Sequence, residues 1–272
     1  MMKQKTWSVS HLPFIKPFGI ASLLFLYLPL FTVLVFSFNK SEDATTWGGF
    51  STRWYSTILD NTDLIRSAKV SLSIAIPCAV IAALIATGLA VGIGRATGKV
   101  QNFLRALVNA PLVLPEIVTA VGTLALFSLV GFPLRYSSLL FAHIVMCVPF
   151  AFLPIRSRLR DFDENIFEAA RDLGASSTRV MMKITVPLLV PALLSSGLLS
   201  FIISMDDFLT SLFVSGPETT TLPIYIFGLL KLGASPEVNV IAALLLIIPI
   251  LGLLVGITWT ATRRRSNEAR NK

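Results

Sequence analysis

The chain has 272 residues, 54% of them hydrophobic and only 14% charged, with a mean hydropathy of +0.75. That composition leaves too little polar surface for a soluble domain, so lipid is the solvent for most of the chain. The formal charge of +8 falls on Lys and Arg residues at the ends of apolar runs, not on a surface interleaved with aromatics; it is a topology signal, and nucleic acid is not expected as a partner.

Each membrane-crossing helix needs roughly 20 apolar residues, so this length holds about six with short loops. The apolar runs cover 18 to 38, 70 to 94, 106 to 130, 137 to 155, 187 to 208 and 238 to 261. Hydrocarbon offers no partner to a free backbone amide, so these runs are predicted to be helices. The expectation is an all-α polytopic membrane protein with a single transmembrane domain over residues 1–272.

Lys3, Lys5 and Lys16 precede the first run as in a secretory signal. The run is too long for one and ends at Ser37-Phe38-Asn39 without a small-residue cleavage pattern, so it reads as an uncleaved helix. In the second run Gly88 and Gly92 stand at the GxxxG spacing that permits close helix packing. Cys78 and Cys147 lie inside apolar runs, where a thiol behaves as a small hydrophobe. No disulfide, metal site or cofactor is expected.

The third run contains Pro111, Pro115 and Glu116. Glu116 stands about eleven residues beyond Arg105, or roughly 17 Å along a helix, which places it near the bilayer midplane. A carboxylate there is costly unless it faces water, a partner or a pathway. The prolines interrupt the helix and free carbonyls that can line a cavity. Two readings stand: a cation pathway, or a structural carboxylate bonded to a neighbouring helix. His143, in the fourth run, reads as a hydrogen-bonded core histidine, with a proton carrier as the alternative.

Residues 156–186 break the apolar pattern with Arg156, Arg158, Arg160, Asp161, Asp163, Glu164, Glu168, Arg171, Asp172, Arg179 and Lys183. Phe162, Ile166, Ala169 and Leu173 recur at helical spacing, Gly174 marks a turn, and Val180, Met181 and Ile184 continue beyond it. A helix-turn-helix hairpin at the membrane surface follows, serving either as a connector resting on headgroups or as a docking element. Pro187 suits the first turn of the fifth run, where its missing N–H costs nothing. Asp206 and Asp207 lie about nineteen residues further, roughly 28 Å, near the opposite interface; they are either solvated acids or a cation-attracting mouth.

Loop charge sets orientation. Arg95, Lys99 and Arg105 have no acid in their short loop and Arg263, Arg264 and Arg265 close the last run, so both regions are expected in the cytoplasm with both termini. Residues 39–69 and 209–237, with charges of both signs, fall outside. Trp47, Trp54 and Tyr55 are expected at the outer interface and Trp259 near the inner one; Trp54 reads as an anchor, with cation-π contact to a substrate as the alternative.

The run Glu168-Ala169-Ala170-Arg171-Asp172-Leu173-Gly174, with Ile184 and Thr185-Val186-Pro187 beyond it, resembles the EAA loop of binding-protein-dependent ABC importer permeases. Val186 stands where that pattern has Leu. The resemblance implies the type I importer permease fold, with a cytoplasmic coupling helix that fits a cleft on an ATPase. Glu168, Ala169, Ala170, Asp172, Gly174, Ile184 and Pro187 are its coupling residues. The chain supplies no ATPase of its own, because Gly94-Arg95-Ala96-Thr97-Gly98-Lys99-Val100 lacks phosphate-loop spacing and the Ser or Thr after Lys.

A second group of stretches is similar to the second permease of spermidine/putrescine importers: Trp47 to Tyr55, Ser204-Met205-Asp206-Asp207-Phe208, Phe213-Val214-Ser215-Gly216-Pro217, Leu222-Pro223, and Ser235 to Asn239. What this implies is a bacterial inner-membrane complex with a homologous second permease, an ATP-binding subunit dimer and a periplasmic or extracellular substrate-binding protein. Glu116, Asp206 and Asp207 are the expected substrate-pathway acids, and alternating access is the mechanism. Another small organic cation is the alternative substrate. An ion-coupled secondary transporter is the alternative class, although it has no need of an EAA-type hairpin. No metal-spaced His pair or nucleophile-base set supports an intramembrane enzyme.

Overall fold

The computed structural model describes residues 15–251, Ala234 apart. Among these the chain is helical, and the only strand-like feature is an isolated antiparallel bridge between Asn39 and Phe50. Two compact units emerge: one holds residues up to Asn61 and from Gly228, the other Thr62–Phe227.

In the first unit, α1 (Ile15–Phe36) is apolar on every face, and α2 (Arg53–Asp60) is a short amphipathic helix. The loop joining them is organised by buried Asn39. Its amide nitrogen donates to the carbonyls of Asp43 (3.2 Å) and Thr46 (2.8 Å), and its oxygen accepts the N–H groups of Ser41 (3.1 Å) and Gly48 (2.8 Å). One side chain thus satisfies four loop backbone groups that would otherwise go unpaired. The last described helix, α12, covers Pro236–Leu251. The rest of the expected sixth span, Trp259, the Arg263 to Arg265 cluster, Lys3 and Lys5 lie outside the described residues.

The second unit is built on α3 (Thr62–Arg95), α6 (Tyr136–Arg160) and α9 (Val186–Asp206), which pack on one another. Lipid tails are as apolar as leucine, so such helices associate through close van der Waals contact and interhelical hydrogen bonds. The sequence supplies both. Ala75, Ala79, Ala82, Ala86 and Ala90 run down the buried face of α3 at spacings of three and four. On α9, Ser196, Ser200 and Ser204 recur every fourth residue and face Ala151, Cys147 and His143 of antiparallel α6 in one-turn steps: Ser196 Oγ donates to the Ala151 carbonyl (2.9 Å) and Cys147 Sγ to the Ser200 carbonyl (3.5 Å). Bonds of this kind contribute about 0.6 kcal/mol each. Cys78 and Cys147 are free thiols inside this core.

Among the described residues nothing packs on the expected GxxxG face. Gly88 and Gly92 are exposed with nothing within 4 Å of a Cβ built there; alanines one step around the helix already allow close approach.

The largest departure from the expected spans is at 106 to 130. Instead of one straight helix there are two, α4 (Gly98–Val113) and α5 (Glu116–Leu129), bent by 108°. Pro111 sits inside α4 without breaking it; the break is at Leu114 and Pro115, both extended, because Pro115 biases its predecessor away from helix. Four described helices are long and apolar enough to cross a membrane, or five if this bent pair is one span. The stretch read as the outer loop 209–237 is also largely helical, with α10 (Leu209–Val214) and α11 (Leu222–Leu232). At 11 residues α11 is about 16 Å long, half a bilayer.

Candidate functional site

Two breaks in the helical framework meet at one place. Glu116 opens α5 just after the 108° bend, and α9 ends at Asp206, where the chain turns through Asp207 and Phe208 into α10. Helix α10 packs against α5 and α6, so Glu116, Asp206 and Asp207 come to line one cavity of about 590 Å³. The rest of its wall is apolar or hydroxyl-bearing, from Pro111 and Thr119 to Met146 and Thr210, and among the described residues holds no Lys, Arg or His. Carboxylates gathered in so apolar a wall favour a cation among them.

The straight-helix ruler that set Glu116 roughly 17 Å along the third span ends at Val113, because the axis turns by 108° there. Glu116 and Asp206 are exposed along the chain's own surface, but Asp207 is 5% exposed. Solvation therefore does not account for Asp207. Its carboxylate accepts the N–H of Ser211 (2.7 Å) and of Thr210 (3.3 Å) and the hydroxyl of Ser211 (2.8 Å), while His143 Nε2 lies 3.4 Å away.

His143 is the core histidine expected, 1% exposed, with Nδ1 2.8 Å from Ser204 Oγ and Nε2 3.0 Å from Ser211 Oγ. Since the Ser211 proton is given to Asp207, a neutral His143 donates from Nε2 to Ser211 and accepts at Nδ1 from Ser204. This network joins α6, α9 and α10 behind the acidic cavity. Ser204 and Ser211 were missed from the sequence; the every-fourth-residue serines of α9 are the signal that finds the first of them.

At the other end of the core, α6 stops at Arg160 and α7 (Glu164–Asp172) starts on Asp163, whose side chain accepts the Asn165 N–H (3.0 Å). Gly174 turns the chain with φ +77°, a conformation costly for residues with a Cβ. Next come α8 (Ser177–Val180) and a π-helical turn, Met181–Thr185, which runs without interruption into α9, giving one helical rod from Ser177 to Asp206. Pro187 occupies the first turn of α9. Its ring would crowd the Lys183 carbonyl in a regular α-helix, and the wider π turn relieves that crowding.

Glu168, Ala169, Asp172 and Gly174 are exposed and Ala170 is half-buried. Of the expected apolar stripe only Phe162 packs on the core; Ile166 is 45% and Leu173 89% exposed. The α7 hairpin therefore holds an uncovered face of small, apolar and acidic residues. In the first unit, Arg53 already covers the Trp54 ring at 4.5 Å, so the cation-π partner of that ring is internal.

Comparison with known proteins adds the following. Residues 75–265 match the family described as binding-protein-dependent transport system inner membrane component. The spermidine/putrescine transport system permease protein PotC of Escherichia coli K12 is 40% identical, over 86% of this chain and 89% of that one. The putrescine transport system permease protein PotI of the same strain is 36% identical over 96% of each chain. Among solved structures, a bacterial ABC transporter involved in import of the acidic polysaccharide alginate superposes with a TM-score of 0.65, at 17% identity over 94% of this chain and 99% of that one. A bacterial alginate ABC transporter in complex with alginate pentasaccharide-bound periplasmic protein gives 0.68, at 18% identity over 88% and 90%. At that identity the likeness is one of fold.

Proposed function

This chain belongs to the family of binding-protein-dependent transport system inner membrane components, and on that premise we propose that it is the permease subunit of an ATP-driven importer whose substrate is a polyamine such as spermidine or putrescine. The observation that carries the substrate class is the 590 Å³ cavity, where Glu116, Asp206 and Asp207 converge and no basic residue lines the wall. A polyamine is a chain of ammonium groups joined by methylenes. An apolar wall with carboxylates along it suits both parts, whereas an acidic saccharide finds no cationic partner there.

The chain contributes six transmembrane helices as one domain, with the bent α4–α5 pair forming one crossing and both termini in the cytoplasm. Its α7 hairpin is the EAA coupling element, with Glu168, Ala169, Ala170, Asp172 and Gly174 facing a cleft on a separate ATP-binding dimer. Ile184 and Pro187 join that element to α9. The continuity from Ser177 to Asp206 supports this role, because a push at one end of the rod moves the acids at the other.

A homologous second permease covers the exposed side of the acidic cavity, and a substrate-binding protein outside the cell supplies affinity and hands substrate over. The permease binds weakly, since a deep site slows release. ATP binding closes the ATPase pair and opens the permease pair outward; hydrolysis resets it.

The test is uptake of radiolabelled spermidine and putrescine by cells expressing this chain with its partner subunits, with an active or an inactive ATPase. ATP-dependent accumulation is expected. An assembled complex that accumulates neither would overturn the polyamine assignment.

A further inference from the structure

A second cavity, of about 560 Å³, lies where α3 and α6 end and α4 begins, under the α7–α8 hairpin. Arg95, Arg105, Arg156, Arg160 and Arg171 all line it, and among the described residues no Asp or Glu does. Positive charge at this end of the bundle is expected from the topology rule, but that rule is met by residues spread over a solvated surface. Here five arginines line one bowl, with Arg105 and Arg156 half-buried and Arg95, Arg160 and Arg171 exposed at its rim.

The usual remedy for such crowding is a carboxylate partner, and none of the five makes an ion pair among the described residues. In addition, Nε of Arg105 is shielded from solvent and has no hydrogen-bond partner among the described residues. A shielded guanidinium N–H without an acceptor, inside a basic bowl that also carries Gln101, Ser177 and Thr185, calls for an anion with several acceptor oxygens.

We infer that this bowl binds a phosphate-bearing anion, either the headgroup of an anionic phospholipid from the same leaflet or a free phosphate. Arginine forks match phosphate oxygens two at a time, and basic pockets between helix ends at the cytoplasmic face suit lipid headgroups. The inference rests on the permease reading for its orientation, since that reading puts these helix ends at the cytoplasmic face. A bound phosphate ties the ends of α3, α4 and α6 to Arg171 on α7. Occupancy therefore sets how firmly the proposed coupling hairpin is held.

The test uses the purified complex of this chain with its partner subunits, in detergent, by native mass spectrometry. The probes are dioleoylphosphatidylglycerol, phosphate-free dioleoylglycerol and inorganic phosphate. Wild type is expected to retain phosphatidylglycerol or inorganic phosphate at least tenfold better than the Arg105→Gln/Arg156→Gln double variant, with dioleoylglycerol indifferent to the substitution. Retention of phosphatidylglycerol alone identifies lipid as the source, and inorganic phosphate binding by itself identifies the free anion.

Lys99→Gln, nearby but outside the bowl, should bind as wild type does. If the double variant does not assemble, Arg160→Gln, exposed at the end of α6, carries the test with a severalfold loss. Equal binding by wild type and variant, no binding of either phosphate probe, or an equal loss in Lys99→Gln overturns the inference. Polyamine uptake by the same complexes reconstituted into sealed liposomes separates the two readings: uptake without phosphate binding sinks the bowl alone, and phosphate binding without uptake sinks the substrate assignment alone.

Discussion

Oδ2 of Asp207 lies 3.4 Å from Nε2 of His143, and the Ser211 hydroxyl bridges them at 2.8 and 3.0 Å. The carboxylate is thus held from behind by α6 and α10 while it lines the acidic cavity in front. A buried carboxyl with several donors has one well-defined position, as its proposed place on a substrate pathway requires.

His143→Ala removes the acceptor of the buried Ser204 hydroxyl and the donor to Ser211 Oγ, while Asp207 keeps its Thr210 and Ser211 donors; each lost buried partner costs about 1–3 kcal/mol. The expected outcome is a loss of about 2–4 kcal/mol, seen as a lower Tm of the detergent-solubilised complex. His143→Gln, which keeps one donor and one acceptor, should recover part of that loss. An unchanged Tm in His143→Ala would show that the network carries no stability.

Glu116→Gln and Asp206→Asn remove charge from the cavity at exposed positions, so folding should survive both. Each is expected to lower polyamine uptake about tenfold, equivalent to about 1.4 kcal/mol of lost cation attraction, while the ATPase still co-purifies. Unchanged uptake in Glu116→Gln would return that residue to a structural role.

Gly174→Val forces a β-branched residue into φ +77°, costing about 1–2 kcal/mol locally and displacing α7 from α8. Glu168→Trp fills the exposed face without touching the turn. Both proteins should insert normally and lose substrate-stimulated ATP hydrolysis; normal stimulation in both would count against the docking role.

Gly216 is the tightest backbone approach in the second unit, where an added Cβ would overlap the Leu134 carbonyl oxygen. That neighbour is backbone and cannot swing aside as a side chain does. Gly216→Ala should destabilise by about 2 kcal/mol or more, measured as Tm, whereas Gly88→Ala, with open space at its Cβ, should change Tm by under about 1 kcal/mol equivalent.

By itself the sequence determined that the chain crosses a membrane, that its long apolar runs are helical, and where the charged hairpin lies; the helices Arg53–Asp60, Leu209–Val214 and Leu222–Leu232, inside stretches read as loops, were not legible in it. The legible properties follow from local composition: hydrocarbon forces apolar runs into helices, and a dense charge run such as 156–186 is forced out of it. Gly174 and Pro187 were legible for the same reason, since the turn and the helix start are local backbone demands.

Only the tertiary structure decided that Glu116 and Asp207 share a cavity, that Asp207 is buried on His143 while adjacent Asp206 is exposed, and that five arginines scattered from 95 to 171 face one bowl. Spacing along the chain measures depth only while a helix stays straight, and the 108° bend between α4 and α5 ended that ruler. The choice of alanine stripe over the GxxxG pair was likewise beyond periodicity: both lie on one helix, and which face is buried depends on where α6 and α9 approach it.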